Sequence, residues 1–558
     1  MTHVEANAAA AGEEGIGRNL VLPVLYPLLA LLILVFVAYP MFVLFGRAVV
    51  EGSGPPFTLV WKVAADPYNR KVFWNTLLLG AIVAVLGTLL ATAYAYAMTR
   101  VSIPGKKVWH FFAMLPTISP PILMALGLIL LYGRRGIVTY GLFGIQTTGL
   151  YGLYGLVIAQ LMSYFPFAYL LMLNLFRGLD ASMEEAAGTL GANAWQALRT
   201  VSLPLLLPGL AGSVLLLFGY SFADLGNPML LGGDFPVLSA QIYQTIIGMY
   251  DVPQGAALAI FLLAPSVLMF VAHKRLSSRM SYATVGAKGS SRLRLVMYLP
   301  ARIAALVLVG IVTLAICLQY ATILAGAFTQ LFGINYTPTL RHVIATFTKS
   351  RGAILDTFAL GVISAIVSVG LGLVIAHLVA RTRHFGRGLV DFVANTPLAI
   401  PGTVIGLAFA LAFSGSPLLL TGTAAIIIVA FVVRALPYGI RSGVAALDQI
   451  HRSLDEASMT MGATSGQTLW RVLLPLVRPA LLAGMVFAFT RSVTTLSAVI
   501  FVVSPHWSLV TPTILSQMDR GDVGEAAALS VVVVLMVLAV IHGVPRLFDR
   551  DWREVHQE

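Results

Sequence analysis

Long apolar stretches recur along the whole chain, separated by shorter polar segments, and twelve of them are long enough to cross about 30 Å of hydrocarbon as helices. They fall near residues 20–46, 75–99, 109–133, 149–176, 203–225, 255–273, 296–327, 356–380, 390–414, 421–443, 474–500 and 526–545. Thr76 to Met98 and Thr357 to Ala380 contain no Asp, Glu, Lys or Arg. Lipid offers no partner to a backbone N–H or C=O, so each stretch is expected to be a spanning helix. The first lacks a small-residue cleavage site after a short apolar run and reads as an anchor helix, not a removable signal. Residues 1–19, Ala-rich and polar, read as a tail.

Composition agrees with this pattern. The 558 residues are 58% hydrophobic and only 10% charged, with a mean hydropathy of +0.89, which excludes an ordinary soluble domain. The net charge of +12 raises the question of nucleic acid, and its distribution answers it. With the N-terminus in the cytoplasm, 22 of the 35 Lys and Arg fall in inner segments and 10 in outer ones. That asymmetry is the positive-inside signature, so both termini are expected to be cytoplasmic and no nucleic-acid partner is implied. The single cysteine, Cys317, lies in an expected span, which excludes an intrachain disulfide and a Cys-based metal site.

Self-comparison divides the chain into two tandem units. A shift of 271 residues superposes Pro166 on Pro437, Glu185 on Glu456, Gly191 on Gly462, Pro204 on Pro475, Pro208 on Pro479 and Asp251 on Asp522. Upstream the shift is 281, with Asn75-Thr76 on Asp356-Thr357 and Pro120 on Pro401, so the first unit carries about ten extra residues around Tyr132 to Gly149. The expected organisation is a tail (1–19), a first six-helix unit (20–273), a basic cytoplasmic linker (274–295), a second six-helix unit (296–545) and a C-terminal tail (546–558). Six spans per unit is an even number, so this is a parallel repeat with a natural path at its interface.

Between the fourth and fifth spans of each unit lies the same polar interruption. The first reads Glu185-Ala186-Ala187, three residues, Gly191, nine residues, then Val201-Ser202-Leu203-Pro204. The second reads Glu456-Ala457-Ser458, three residues, Gly462, nine residues, then Val472-Leu473-Leu474-Pro475. Small residues let a short helix lie against a partner's backbone. The glutamates are then placed to meet a basic group, the glycines to turn the chain, and Pro204 and Pro475 to occupy the first turn of the next span. Both segments resemble the cytoplasmic EAA loop of binding-protein-dependent ABC importer permeases, with Ser458 in place of the second Ala as the one departure in the core.

The resemblance implies an all-α integral membrane fold of the type I importer kind, with the two loops acting as coupling helices for a separate cytoplasmic ATPase. It implies two copies of that ATP-binding subunit, carrying ATP and Mg, and a periplasmic or extracellular substrate-binding protein, in a bacterial inner membrane. Gly105-Lys106-Lys107 lacks the earlier Gly and following Ser or Thr of a phosphate loop, so ATP is expected in trans, with no cofactor, catalytic residue or metal site in this chain. Fusion of two units looks like the ferric-iron permeases, and Ala223-Asp224-Leu225-Gly226-Asn227-Pro228 before Leu231-Gly232-Gly233-Asp234 favours that branch. Thiamine, phosphonate or sugar phosphate, and polyamine are the alternative cargoes.

Two ionisable residues are candidates for the path. Asp224 lies about 30 Å along a helix from Pro204, near the outer face, and Arg491 about 24 Å from Pro475, deeper. Arg491 is expected to face the cavity between the units, paired with Asp224 as a gate or attracting an anionic substrate. His377 reads as a packed polar residue. An ion-coupled secondary transporter would need protonatable groups near the midplane, and an intramembrane enzyme a nucleophile with its base. The spans offer neither.

Overall fold

The computed structural model describes residues 21–50, 55–284, 296–381, 390, 394–415, 418–451 and 453–548. Among these, eleven helices are long and apolar enough to cross a membrane. In chain order they are Pro27–Val50, Pro67–Arg100, Ile122–Leu142, Leu153–Gly178, Trp195–Phe222, Val252–Arg275, Leu299–Ala327, Arg351–Arg381, Ala424–Asp448, Thr468–Thr494 and Val523–Val544. The expected ninth span is the shorter helix Gly402–Ala412, which the repeat aligns with Ile122–Tyr132. Counting it, the spans are numbered one to twelve below. An antiparallel hairpin, Thr329–Leu331 with Asn335–Pro338, follows span seven.

Several expected boundaries are corrected, each for a local reason. The third span is not continuous from residue 109: Lys106–Met114 is a separate helix, and Pro116, Pro120 and Pro121 break the chain before Ile122. Spans five and eleven begin before Pro204 and Pro475, at Trp195 and Thr468, so these prolines are not in the first turn. Each lies just past a π-helical turn, Leu198–Ser202 or Thr468–Leu473, whose wider winding accommodates the missing N–H. Span eleven ends at Thr494, not 500. The helix of span six runs on to Thr284, so residues 274–284 of the expected linker are helical and 285–295 lie outside the described residues. The last helix extends to Phe548, and the tails 1–19 and 549–558 also lie outside them. The extra residues of the first unit fall between spans three and four, where the connection covers 133–152 against 413–423.

The two units repeat in hydrogen bonds as well as in sequence. The Thr76 hydroxyl accepts from Leu238 N–H (2.8 Å), and its counterpart Thr357 from Val510 N–H (2.9 Å), capping a short helix beyond span five or eleven in each unit. The units also interlock: span one packs on the Gly402–Ala412 helix of the second unit, and span seven on Ile122–Tyr132 of the first. Phe36 and Tyr39 meet Phe413 at ring separations of 5.9 and 6.1 Å, and Tyr320 of span seven shares its hydroxyl with Ser119 (2.6 Å). On one face, Val101 after span two pairs with Val296 before span seven, and Arg302 Nε donates to Ser102 O (2.8 Å). The ends of both units' polar connections therefore share a side.

Spans eight and ten approach through glycine. A Cβ on Gly439 would lie 2.6 Å from Ser368 O, and one on Gly372 would collide with the Gly439 backbone. Lipid gives helices no hydrophobic drive to associate, so this backbone contact is a main source of their packing. Gly372→Val is expected to lower the stability of the purified chain by about 1–3 kcal/mol, whereas Gly370→Ala, with open space around its Cβ, should leave the melting temperature nearly unchanged.

Candidate functional site: two elbows and a charged cavity

Each EAA segment folds as an elbow between spans four and five, or ten and eleven. The short helices of the elbows are Ala181–Thr189 and Ser453–Thr460. Asp180 caps the first by accepting from Ser182 N–H (2.9 Å), which holds this exposed carboxyl below its usual range. His451 Nδ1 takes the same role in the second, accepting from Ser453 N–H (3.2 Å). Gly191 (φ 88°) and Gly462 (φ 84°) end the helices in the left-handed region, and Ala192 N–H and Ala463 N–H reach back to Ala187 O and Ser458 O. A capping box then starts the next helix, Asn193 with Gln196 and Thr464 with Gln467. Ser458 is compensated: its hydroxyl bonds to Thr468 (2.8 Å, buried), where the first unit opposes Ala187 and Ala197.

Glu185 and Glu456, with Ala186 and Ala457, are exposed, and neither glutamate makes an ion pair among the described residues. Beside them stand apolar side chains in water, with Leu190 89% and Met461 82% exposed at repeat-equivalent tips.

The residue before each EAA glutamate, which sequence reading passed over, does a different task. Arg100 Nε at the end of span two contacts both carboxylate oxygens of Glu184 (2.9 and 3.0 Å), and Ser202 adds a hydroxyl bond (2.7 Å). In the second unit Arg381 Nη1 meets Asp455 (3.0 Å) while Nη2 binds the carbonyls of Leu447 and Ile450 at the end of span ten. Both arginines are buried, 3% and 6% exposed at the side chain. Arg100 and Arg381 align under the upstream shift, and Glu184 and Asp455 under the downstream one, so combining the two shifts reveals the pairs.

The path candidates meet the other feature of the fold, a cavity between the units. One chamber of about 170 Å³ reaches toward the elbows past His273 and Arg441, and a smaller one of about 50 Å³ lies beyond it beside Pro120 and Asp224. Tyr220, Ala223, Arg434 and Arg491 line both. Arg491 lines this cavity, its guanidinium 5.8 Å from the rings of Phe167 and Tyr220 and 6.0 Å from Tyr438, within cation–π range. Arg434 of span ten donates to Ile400 O (3.3 Å).

Asp224 is not a helix-end residue in water. It is 5% exposed and accepts from Gln160 Nε2 (2.9 Å), Asn227 Nδ2 (2.7 Å) and the Tyr164 phenol. No ion pair joins it to Arg491 among the described residues. Near an effective dielectric of about 20, a cation roughly 6 Å from either guanidinium would be repelled by roughly 3 kcal/mol per unit charge. His377 is buried near the end of span eight, and no group of three His, Cys, Asp or Glu is placed to hold a metal among the described residues.

Among the described residues, eleven long apolar helices and the shorter Gly402–Ala412, in two interlocked units with an elbow each and a cavity between, fit a multi-pass membrane transport permease. The chain belongs to the family of binding-protein-dependent transport system inner membrane components, whose profile matches it twice, over residues 87–282 and 368–554. Among its relatives, the ferric transport system permease protein FbpB of Actinobacillus pleuropneumoniae is 34% identical over 92% of this chain and 76% of its own length. A putative ferric transport system permease protein FbpB 1 of Haemophilus influenzae is 35% identical over 85% and 77%. The sulfate transport system permease protein CysT of Escherichia coli is 27% identical over 44% of this chain and 93% of its own length.

The elbow geometry separates two adjacent acidic residues. Glu184→Ala strips Arg100 of its carboxylate and is expected to destabilise the purified chain by about 2–3 kcal/mol. Glu185→Ala should leave the thermal melt unchanged, and a melt lowered equally by both would contradict the division of labour.

Proposed function

We propose that this chain is the translocation subunit of an importer for ferric iron in a bacterial inner membrane, with both termini cytoplasmic. A periplasmic binding protein delivers the cargo, and two copies of a cytoplasmic subunit hydrolyse Mg-ATP and grip the two elbows. The observation that carries the reading is the repeated elbow: a capped helix of small residues, an unpaired outward glutamate and an almost fully exposed apolar tip, twice, on one side of the molecule. Such a surface offers a partner both an apolar anchor and a charge, and the buried Arg100–Glu184 and Arg381–Asp455 pairs transmit its motion to the spans. The excess of Lys and Arg on the elbow side supports a cytoplasmic location for it.

Iron is favoured over the other cargoes because the two relatives that are 34% and 35% identical over 92% and 85% of this chain carry ferric transport in their names. The sulfate permease matches less than half of it, so the shared unit is a scaffold for more than one cargo.

The reading is tested in proteoliposomes holding the chain, its ATPase and a binding protein loaded with ferric ion. ATP-driven iron uptake is expected, and reversing Glu185 and Glu456 to Arg together should abolish it and release the ATPase while leaving the permease folded. Undiminished uptake by that double variant, or uptake without ATP, would refute the coupling role.

A further inference from the structure

Of the three arginines lining the cavity, Arg434 and Arg491, which line both chambers, are unlike the buried arginines of the elbows. Arg100 and Arg381 each meet a carboxylate, but among the described residues Arg434 and Arg491 find only neutral partners. These are the Ile400 carbonyl for Arg434, and for Arg491 the Tyr438 phenol and three aromatic faces. Both are half-buried, and the cavity is what they face. Cations at membrane depth are costly unless paired, and where they stand in a cavity they mark what passes through it.

The repeat sharpens the point. Under the 271-residue shift Arg491 is the counterpart of Tyr220, Tyr438 of Phe167, and Arg434 of Ser163. The cage around Arg491 is therefore built from equivalent positions of the two units, and both positive charges come from the second. The one carboxylate lining the chambers, Asp224, already accepts two amide groups and the Tyr164 phenol, leaving it poorly placed to bind a bare trivalent cation. Guanidiniums, in contrast, match the geometry of oxyanions, and neighbouring phenols add donors.

We propose that Arg434 and Arg491, with the Tyr220 and Tyr438 phenols, form an oxyanion-binding site where the two chambers meet, and that cargo passes it as an oxyanion or with one. The oxyanion is either the free cargo or a ligand that the ferric ion brings with it. This deepens the importer reading and rests on it for the word cargo, but the site itself is measured without the ATPase.

The test is equilibrium binding to the purified full chain in lipid nanodiscs, with labelled inorganic phosphate and, separately, ferric citrate as probes. Saturable binding is expected, weakened about 10- to 100-fold by Arg491→Gln or Arg434→Gln and only partly restored in the Arg491→Lys form, which keeps the charge without the planar fork. Binding of phosphate alone identifies a free oxyanion, and binding of ferric citrate only identifies a metal-borne one. If the Gln variants fail to fold, Tyr438→Phe carries the test, with a smaller loss of affinity expected. Neither probe binding above empty nanodiscs, or folded variants binding as well as the parent chain, would overturn the site. Failure of ATP-driven uptake with binding intact would instead count against the importer reading.

Discussion

A buried arginine gripping an acidic side chain at the end of a long span fixes each elbow to the helices around it. Arg100 with Glu184 and Arg381 with Asp455 tie the short elbow helices to spans two and eight. Without that tie an elbow would be a surface loop whose displacement dissipates in the loop itself. With it, the elbow is fixed to the end of a helix some thirty residues long. The two clamps differ in their third contact. Arg381 also binds the last carbonyls of span ten, where a cation is favoured by the helix dipole, while Arg100 lies 5.7 Å from the Phe176 ring of span four. Each thereby joins three elements by a different route.

The repeat is kept where geometry demands it and abandoned where chemistry does. The threonine caps on the outer short helices, the left-handed glycines of the elbows and the π-turns before Pro204 and Pro475 occur in both units. Each satisfies or turns the backbone of its own unit, so each copy needs its own. At the centre the equivalence breaks, with Arg491 opposite Tyr220 and Arg434 aligned with Ser163. A central path between two related units can be polarised in charge only in this way, by giving one unit residues the other lacks.

Much of this was legible in the sequence, because lipid imposes helices and the repeat doubles every signal. The spans, the elbows and the place of the extra loop in the first unit all followed from apolar run length and from two constant shifts. Boundaries at Pro116 to Pro121, Pro204 and Pro475 were misjudged, since a proline marks a break, a bend or a π-turn alike until its neighbours are known. The clamps were missed because an acidic pair, Glu184-Glu185, does not say which member turns inward. Asp224 was placed by helix rise near water, and its amide cage from Gln160 and Asn227 could not be read from spacing across separate helices.

The account's central claim is that the two elbows are levers moved by an external motor. It is tested most directly by spin labels at Leu190 and Met461, introduced as cysteines in a Cys317→Ser chain assembled with its ATPase. The account predicts that the distance distribution between the labels shifts when ATP is bound and returns after hydrolysis. An assembly that imports its cargo while that distribution stays the same in every nucleotide state would contradict it.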